Sequence, residues 1–390
     1  MSRPLKIAII AGEESGELLG ADLIRVLNAA TGSRAELIGV GGRHLSELGL
    51  TSLFDSNEIA LMGISAILRD LPRLIGRIGS TAKAIVAAKP DCLITIDSPE
   101  FTLRVARKVH AADASIPIVH YVCPSVWAWR PGRAKDMKGF VDRVLCILPF
   151  EVGELQRLDG PQGTYVGHRL SRDPGIERAA AMQAQPRGLS DDREKTLLLL
   201  PGSRRGEVNS LLEPFRETVS ILKQRGHRLR LLLPTVPHVE KIVREQTAAW
   251  PQRPEIFSDP ERKWQAFGEA DAALIASGTV SLELAVAGVP MVSCYKLDFF
   301  ARPLRGLVQS WATLLPNLIG DKLVVFEFID FYVRPPALAR QLEVLMADTE
   351  MRGWQKTGLA EVAARMRTDR PSGEIAAEAV LETIRQRGRP

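Results

Sequence analysis

Short apolar runs alternate with helical patterns through most of the chain. In the first half, the runs have the length of buried strands, and apolar residues recur between them at helical spacing, as in residues 17–30. The strands predicted there are residues 6–12, 35–42, 91–99, 115–124 and 143–150. Strands that alternate with helices pair in parallel through right-handed crossovers. The pattern therefore predicts a mostly parallel, Rossmann-like sheet.

The same alternation starts again after a glycine-containing segment at residues 157–170. Further strands are predicted at residues 196–204, 227–236, 255–259, 271–278 and 289–296. Two similar α/β halves predict two Rossmann-like domains that face a central cleft, with ligands at the carboxyl ends of the strands. We predict an N-terminal domain over 1–165, a C-terminal domain over 166–335 and C-terminal helices over 336–390. Whether these helices pack back on the N-terminal domain stays open.

Composition narrows the class of protein. The 390 residues suffice for two domains, and 45% hydrophobic with 25% charged residues excludes a disordered or fibrous chain. A net charge of +5 favours an anionic partner. A nucleic acid, a phosphorylated substrate and an acidic membrane surface are all of this kind, and the charge does not choose among them. The apolar run at the N-terminus is too short for a signal peptide, and no window of about 18 uncharged apolar residues predicts a membrane span.

The spacing of cysteines and histidines indicates neither a zinc site nor a disulfide framework, and no cofactor is expected. The four cysteines show no CxxC spacing and are interpreted as buried apolar residues in a reducing cytosol. The six histidines form no HExxH cluster. His120, near a predicted strand end, is a candidate substrate contact, and a purely structural histidine is the alternative.

The first predicted strand of the second half ends in a tight turn of small residues that leads into a helix, here called a small-residue corner. Gly202 and Ser203 form the turn, and Arg204 follows. A turn at a helix start offers backbone N–H donors to a phosphate, and an arginine adds a bidentate charge. The alternative is an ordinary turn with solvated arginines.

A second corner of the same type holds Ser277, Gly278 and Thr279, with Glu283 one helical turn later. The Glu283 carboxylate is suited to accept hydrogen bonds from both ribose hydroxyls of a nucleotide, whereas Ser277 is alternatively a helix N-cap. Neither GxxxxGK[ST] nor GxGxxG is present, which argues against ATPases and dehydrogenases. Because DxD is also absent, the two corners predict a nucleotide-diphosphate site whose charge is met by arginines, backbone N–H groups and helix dipoles.

Acidic residues occupy two strand-to-helix turns, or corners, of the first half. Glu13, Glu14 and Glu17 would repel a phosphate, favour the helix dipole and are candidates for binding hydroxyl groups. Asp97 ends another predicted strand and is a candidate general base for an attacking hydroxyl. The alternatives are plain helix-start acids and a helix cap.

A series of sequence blocks resembles the lipid-A-disaccharide synthase family. The most specific block is "PSVWAWR", because two tryptophans at this spacing in such a setting rarely arise by chance. The resemblance extends over about residues 5–335. The matching blocks are residues 12–24, 60–68, 96–104, 120–135, 148–151, 166–168, 199–207, 276–283 and 315–319.

The resemblance implies an inverting, metal-independent glycosyltransferase of the GT-B fold. Such an enzyme joins UDP-2,3-diacylglucosamine to 2,3-diacylglucosamine 1-phosphate (lipid X) and releases lipid A disaccharide 1-phosphate and UDP. The resemblance implies that Asp97 is the general base, with Glu100 as the competing candidate. It assigns Arg204, Glu283 and Asn317 to donor binding. It also maps the family's first corner, on the acceptor side, to Glu14, Ser15 and Gly16.

Within residues 118–137, aromatic and basic side chains follow a predicted strand. Trp127 and Trp129 offer flat apolar surface to a sugar face or an acyl chain, and Arg130 and Arg133 suit the acceptor phosphate. The alternative is that both tryptophans anchor a buried loop. Because the two tryptophans are two residues apart, both side chains point the same way on extended backbone.

Both implied substrates carry acyl chains, so the resemblance also implies a cytoplasmic protein peripherally associated with the inner membrane. Residues 61–79 combine an apolar helical stripe with arginines, the pattern of an interfacial helix, and a core-facing helix is the alternative. Residues 298–316 are a second apolar cluster, or instead the surface of a homodimer. No nucleic-acid partner is expected.

Two rival functions remain at this point. One is another GT-B sugar-nucleotide enzyme, such as a UDP-N-acetylglucosamine 2-epimerase. The other is a basic RNA- or lipid-binding protein, for which no RNP, KH or helix-turn-helix pattern is visible. Local departures from the family pattern occur at Glu17, Glu100, Arg169 and Phe326.

Overall fold

The computed structural model describes residues 3–60, 67–186, 188, 193–296 and 309–388. The chain divides into two compact units. One unit comprises Met1–His168 and Thr368–Pro390, and the other comprises Arg169–Arg367. The predicted domain boundary at residue 165 lies close to this division.

A parallel sheet forms the centre of the first unit. Its strands in the described residues are β1 (Lys6–Ala11), β2 (Glu36–Val40), β3 (Cys92–Ile96), β4 (Ile118–Tyr121), β5 (Arg143–Cys146) and β6 (Gln162–Tyr165). Their order is β2-β1-β3-β4-β5-β6. Helices cover both faces of a parallel sheet, which is why the inner strands read as continuous apolar runs. The strand order reverses between β1 and β3, a type of position where ligands bind in open α/β sheets.

Helices connect these strands. They are α1 (Glu14–Thr31), α2 (Arg43–Ser46), α3 (Asn57–Ala60), α4 (Ile67–Ala88), α5 (Pro99–Ala112), α6 (Gly132–Lys138) and α7 (Glu151–Arg157). Proline is favoured in the first turn of a helix, where its missing N–H is not needed, and Pro99 begins α5 in this way. Helix α4 packs on α5.

The second unit repeats the architecture. Its described strands are β7 (Lys195–Leu200), β8 (Leu229–Pro234), β9 (Glu255–Phe257), β10 (Ala272–Ala276), β11 (Met291–Lys296) and β12 (Glu327–Asp330), in the order β12-β11-β10-β7-β8-β9. All pairings are parallel. The strand order here reverses between β7 and β10.

Eight helices accompany this sheet in the described residues. They are α8 (Pro174–Ala184), α9 (Arg205–Gln224), α10 (Pro237–Thr247), α11 (Pro260–Glu269), α12 (Val280–Ala287), α13 (Leu315–Gly320), α14 (Pro335–Met346) and α15 (Glu350–Met366). A short 3₁₀ turn, Arg169–Arg172, precedes them.

The C-terminal helices divide between the two units. Helices α14 and α15 belong to the second unit, whereas α16 (Ser372–Gln386) belongs to the first unit and packs on α1. Two ion pairs fix α16 and its end to the first sheet region. Arg143 pairs with Glu382 at 2.9 Å, and Arg387 Nε lies 2.7 Å from Asp142 Oδ1.

Alternation along β1 sends its side chains to two separate cores. Ile10 joins the core that includes Val105 of α5. Ile9 points to the opposite face and joins Leu23 of α1 and Val380 of α16. The period of two in a strand therefore explains why both faces of this sheet are apolar.

Two strands are absent from the sequence prediction, β6 and β12. Both lie at a sheet edge and read "QGTY" and "EFID". Edge strands are commonly short and polar, because such residues discourage pairing with other chains. A search for apolar runs therefore passes over them.

Candidate active site

A pocket of about 280 Å³ lies at the carboxyl ends of β7, β8 and β10 in the second unit. This is the point where the strand order reverses. The pocket brings together both predicted small-residue corners. Its lining includes Gly202, Ser203, Arg204, Ser277, Gly278, Thr279 and Glu283.

The first corner is held in place by Glu207. Gly202 has φ +103°, and a Cβ there would lie 2.4 Å from Glu207 Oε2, so only glycine fits. Glu207 accepts the backbone N–H of Arg204 at 3.3 Å and the Arg204 Nη1 at 3.1 Å. The Arg204 side chain is 82% exposed. An arginine and the N-terminus of the 20-residue helix α9 therefore meet at the mouth of the pocket.

The second corner presents two hydroxyl groups. Gly278 accepts hydrogen bonds from both the hydroxyl and the backbone N–H of Ser281. Among the described residues, the hydroxyls of Ser277 and Thr279 have no hydrogen-bond partner. Thr279, rather than Ser277, directly precedes α12, and its side chain does not cap the helix. Ser277 is therefore not the N-cap of this helix.

Lys263 is a pocket residue that the sequence analysis missed. Its Nζ lies 3.1 Å from Glu283 Oε2 and 3.9 Å from the centre of the Trp264 ring. Both charged side chains are largely buried. Lys263 lies on α11 and Glu283 on α12, so only the packing of two helices brings the pair together.

Asn317 does not line the pocket. Its side chain is fully buried. Its oxygen accepts the backbone N–H groups of Val324 and Val325 at 2.8 Å, and its nitrogen donates to Val325 O and Glu327 Oε1. Because these bonds occupy the amide, the predicted direct contact with a donor is corrected to a structural role that fixes the chain before β12.

Asp97 follows β3 on strained backbone. It has φ +50°, and Ser98 after it has φ +43°. Left-handed conformations are uncommon for residues other than glycine, and strain of this kind clusters at functional sites. The Asp97 carboxylate accepts the Ser98 N–H at 2.8 Å, and Thr102 Oγ1 donates to the Asp97 carbonyl at 2.7 Å. The carboxylate is therefore held at the carboxyl end of the sheet.

The corner after β1 combines exposed and packed residues. Glu14 and Ser15 are exposed. Gly16 is buried, and a Cβ there would lie 3.3 Å from Ile96 Cγ2, so this glycine lets α1 approach β3. The buried Glu17 accepts a long hydrogen bond of 3.4 Å from Ser56 Oγ. Glu14 and Ser15 are therefore open to a ligand, whereas Gly16 and Glu17 are not.

His120 is completely buried in β4. Its Nδ1 lies 2.8 Å from Thr95 Oγ1. Burial, and next the charge of Arg133, lower the pKa of His120 to about 3. The ring is therefore neutral at physiological pH and has no exposed edge for a substrate, which fits the structural alternative.

The two tryptophans of the loop after β4 have different environments. Trp127 packs against the core and meets the Phe150 ring edge-on at 5.2 Å between centroids. Trp129 is 40% exposed. Arg130 and Arg133 lie over its ring, with guanidinium carbons 4.3 and 5.8 Å from the centroid. Trp127 thus anchors the loop, and Trp129 supports two arginines.

The whole chain resembles one family. The model of the family described as lipid-A-disaccharide synthetase matches residues 7–380. A lipid-A-disaccharide synthase of Nitrobacter winogradskyi is 43% identical over 98% of this chain and 96% of its own length. A lipid-A-disaccharide synthase of Rhodopseudomonas palustris (strain HaA2) is 44% identical over 98% of this chain and 97% of its own length.

The chain belongs to the lipid-A-disaccharide synthase family. It is therefore a glycosyltransferase of lipid A biosynthesis, as the sequence analysis predicted.

Solved structures support the predicted fold of this family member. MurG of Acinetobacter baumannii has a TM-score of 0.56 at 14% identity, covering 98% of this chain and 100% of MurG. The calicheamicin glycosyltransferase CalG4 has a TM-score of 0.59 at 14% identity, covering 99% of each chain. With the two parallel six-stranded sheets, these similarities confirm the two-domain α/β architecture of the GT-B fold.

A buried cluster in this synthase-family chain was not predicted from residue spacing. Cys123, Cys146 and Glu151 place potential ligand atoms within 4.8 Å of one another, the one such group of three among the described residues. The hydrogen bond with Cys146, and next burial, raise the pKa of the Cys123 thiol. Burial raises the pKa of Glu151 to about 8. At neutral pH the Cys123 thiol and the Glu151 carboxyl are protonated, and the cluster is a buried packing unit. It formed because β4 and β5 are neighbours, which CxxC spacing cannot reveal.

The raised pKa of Glu151 predicts a pH dependence of stability. The unfolded carboxyl ionises near its ordinary pKa of 4.5, whereas the folded one stays protonated up to about 8. Stability is therefore lost as pH rises through this window. Between pH 6.5 and 8, we expect the free energy of unfolding of the parent to fall by about 1–2 kcal/mol more than that of Glu151→Gln. His120 acts in the opposite direction, because the unfolded imidazole, with its ordinary pKa of 6.5, is still partly protonated at pH 6.5 whereas the folded ring is neutral. This contribution is the same in the parent and in Glu151→Gln, so it cancels in their comparison.

Urea denaturation of the parent and Glu151→Gln at the two pH values measures the effect. Glu47→Gln, a change of an exposed carboxylate in the same unit, is the control and should follow the parent. Parallel pH profiles for the parent and Glu151→Gln would show that Glu151 ionises normally in the folded protein.

The predicted membrane stripe at 61–79 lies partly outside the described residues. Residues 61–66 are not described, nor are the side chains of 67–72. Of the remainder, Ile75 is 54% exposed, whereas Ile78 is buried. The predicted cluster at 298–316 is described only from residue 309. No helix in the described parts of the chain is long and apolar enough to cross a membrane.

Proposed function

We propose that the protein transfers diacylglucosamine from UDP-2,3-diacylglucosamine to 2,3-diacylglucosamine 1-phosphate (lipid X). The products are lipid A disaccharide 1-phosphate and UDP. Family membership over nearly the whole chain supports this reaction. The structural observation that carries it is the second-unit pocket, where two small-residue corners, cations and a carboxylate meet at the strand-order reversal.

In this proposal UDP occupies the second-unit pocket. Arg204 and the backbone N–H groups at the start of α9 meet the diphosphate. Glu283 accepts hydrogen bonds from the ribose hydroxyls, and Lys263 holds its carboxylate in place. The hydroxyls of Ser277 and Thr279 supply further donors. Protein groups thus supply the positive charge that the departing UDP requires, and the proposed mechanism uses no metal.

Asp97 acts as the general base in the proposed mechanism. Its carboxylate takes the proton of the acceptor 6-hydroxyl as the hydroxyl oxygen attacks the anomeric carbon of the donor sugar. The bond from that carbon to the UDP oxygen breaks on the opposite face, and UDP leaves with the bonding pair. Inversion at the anomeric carbon follows, as in inverting sugar hydrolysis, where the base activates water.

Glu100 is less suited to this role than Asp97. Burial acts to raise its pKa, but Arg133, Arg130 and Arg104 outweigh burial and lower it. A carboxylate held by three arginines is a weak base, because its proton affinity falls with its pKa. Geometry and charge therefore favour Asp97.

We also propose that the protein works at the cytoplasmic face of the inner membrane. The acyl chains of both substrates are costly to withdraw from a bilayer. Exposed Ile75 on α4 is a candidate contact, because the neighbouring Arg73 is also largely exposed and suits anionic lipid.

The proposed reaction is tested by incubating purified protein with UDP-diacylglucosamine and lipid X and analysing the lipid by mass spectrometry. The expected product is the disaccharide 1-phosphate, formed only when both substrates are present. Conversion of a UDP-sugar without acceptor would instead indicate an epimerase, the activity named for a Neisseria meningitidis structure of the same fold (TM-score 0.56, 12% identity, covering 98% of this chain and 100% of that one). No product of either kind would overturn the proposal.

A further inference from the structure

A second pocket lies in the first unit between α4, α5 and α6, with a volume of about 760 Å³. It is lined by the first turn of α5, including Pro99 and Glu100. Asp97 precedes Pro99 by two residues, so the pocket begins beside the proposed base. We refer to it as the α4–α5–α6 groove.

The groove is strongly cationic at its rim. Its lining includes five cationic and two acidic side chains, an excess that favours an anionic ligand. The cations are Arg104, Arg107, Lys108, Arg130 and Arg133, and the acids are Glu100 and Asp136.

Three of the arginines converge on a single carboxylate. Arg130 Nη1 lies 2.9 Å from Glu100 Oε1, Arg104 reaches Oε2 at 3.5 Å, and Arg133 also pairs with Oε1. Stacking on Trp129 further orders Arg130 and Arg133. Guanidinium groups held in this way are preorganised for a tetrahedral oxyanion, which offers more acceptor oxygens than a carboxylate.

Two further cations have no acidic partner in the described residues. Arg107 lies over the Phe140 ring, with its guanidinium carbon 4.9 Å from the centroid, and Lys108 is the next residue on α5. Both are exposed. Their charge is available to a ligand without breaking an existing ion pair.

The floor of the groove is apolar. Ile78, Leu103, Met137 and Phe140 line it and are buried, and Ile75 extends the apolar surface outward, where it is 54% exposed. A cationic rim above an apolar floor matches a ligand with a phosphate beside a hydrocarbon chain.

We propose that the α4–α5–α6 groove binds the phosphate monoester and an adjoining acyl chain of the acceptor. This inference rests on the proposed function and names the part of the protein that recognises the 1-phosphate of lipid X. Membrane phospholipids share the chemistry of a phosphate ester beside acyl chains, and the experiment separates the two sources.

The test replaces Arg107 and Lys108 together with alanine. The matched control replaces Arg25 and Lys83, two exposed cations of the same unit outside the groove. Calorimetry in detergent micelles without donor compares the binding of lipid X with that of its dephosphorylated analogue. We expect the parent and the control to prefer the phosphorylated lipid by about tenfold or more, and the groove variant to lose most of that preference.

Two further measurements complete the test. In turnover assays, the acceptor KM of the groove variant should rise about tenfold, with a much smaller change in kcat and in the donor KM. Sedimentation with phosphatidylglycerol vesicles should be alike for the groove variant and its control. Unchanged preference for lipid X, or a loss confined to vesicle binding, would overturn the proposal. Because the calorimetry needs no catalysis, it remains decisive even if the disaccharide product is not formed.

Discussion

Replacing Asp97 with asparagine is expected to lower kcat by about 10²- to 10⁴-fold, the usual contribution of general base catalysis. A neutral hydroxyl is a poor nucleophile toward an anomeric carbon, and asparagine cannot accept its proton at neutral pH. Asparagine is the suitable replacement because it tolerates positive φ, which this position requires. The fold and the strained turn should therefore survive.

Two comparisons make this experiment specific. UDP affinity of Asp97→Asn, measured by calorimetry, should equal that of the parent, since the proposed donor pocket lies in the second unit. Glu100→Gln should lose less than about tenfold in kcat, because its carboxylate is already committed to arginines. A nearly active Asp97→Asn beside an inactive Glu100→Gln would transfer the role of base to Glu100.

Replacing Arg204 with alanine is expected to weaken UDP binding by about tenfold or more. A hydrogen bond to a charged group contributes about 1.5–3 kcal/mol, and the high exposure of this side chain places the effect near the lower end. The loss should appear both as a weaker calorimetric affinity and as a higher donor KM. The fold should be preserved, because the side chain is largely in solvent.

Arg205→Ala is the matched control for this prediction. Arg205 is the next residue along the chain, is exposed and does not line the pocket. Both variants remove one positive charge near the start of α9, so a general electrostatic effect would appear in both. Equal UDP affinities for Arg204→Ala and the parent would contradict a diphosphate contact.

Most strands and both small-residue corners of the second unit were predictable from sequence because their signals are local. An inner parallel strand is an unbroken apolar run, and the turn that follows β7 needs the positive φ of Gly202. The edge strands β6 and β12 lack such runs and were missed. The family resemblance adds the function to the fold predicted from these local patterns, since the matching blocks include specific loop residues.

The sequence by itself determined the two α/β halves, the family, and the position of Asp97 and the two corners, because each depends on a short stretch of chain. Tertiary structure alone decided which charges meet. Glu100 pairs with Arg130 of the loop after β4 and with Arg133 of α6, and Lys263 pairs with Glu283 of another helix. Packing also buried the amide of Asn317, which the family resemblance had assigned to donor binding. Ion pairing and burial depend on distances between segments far apart in the chain, and those distances exist only once the helices and sheets have packed.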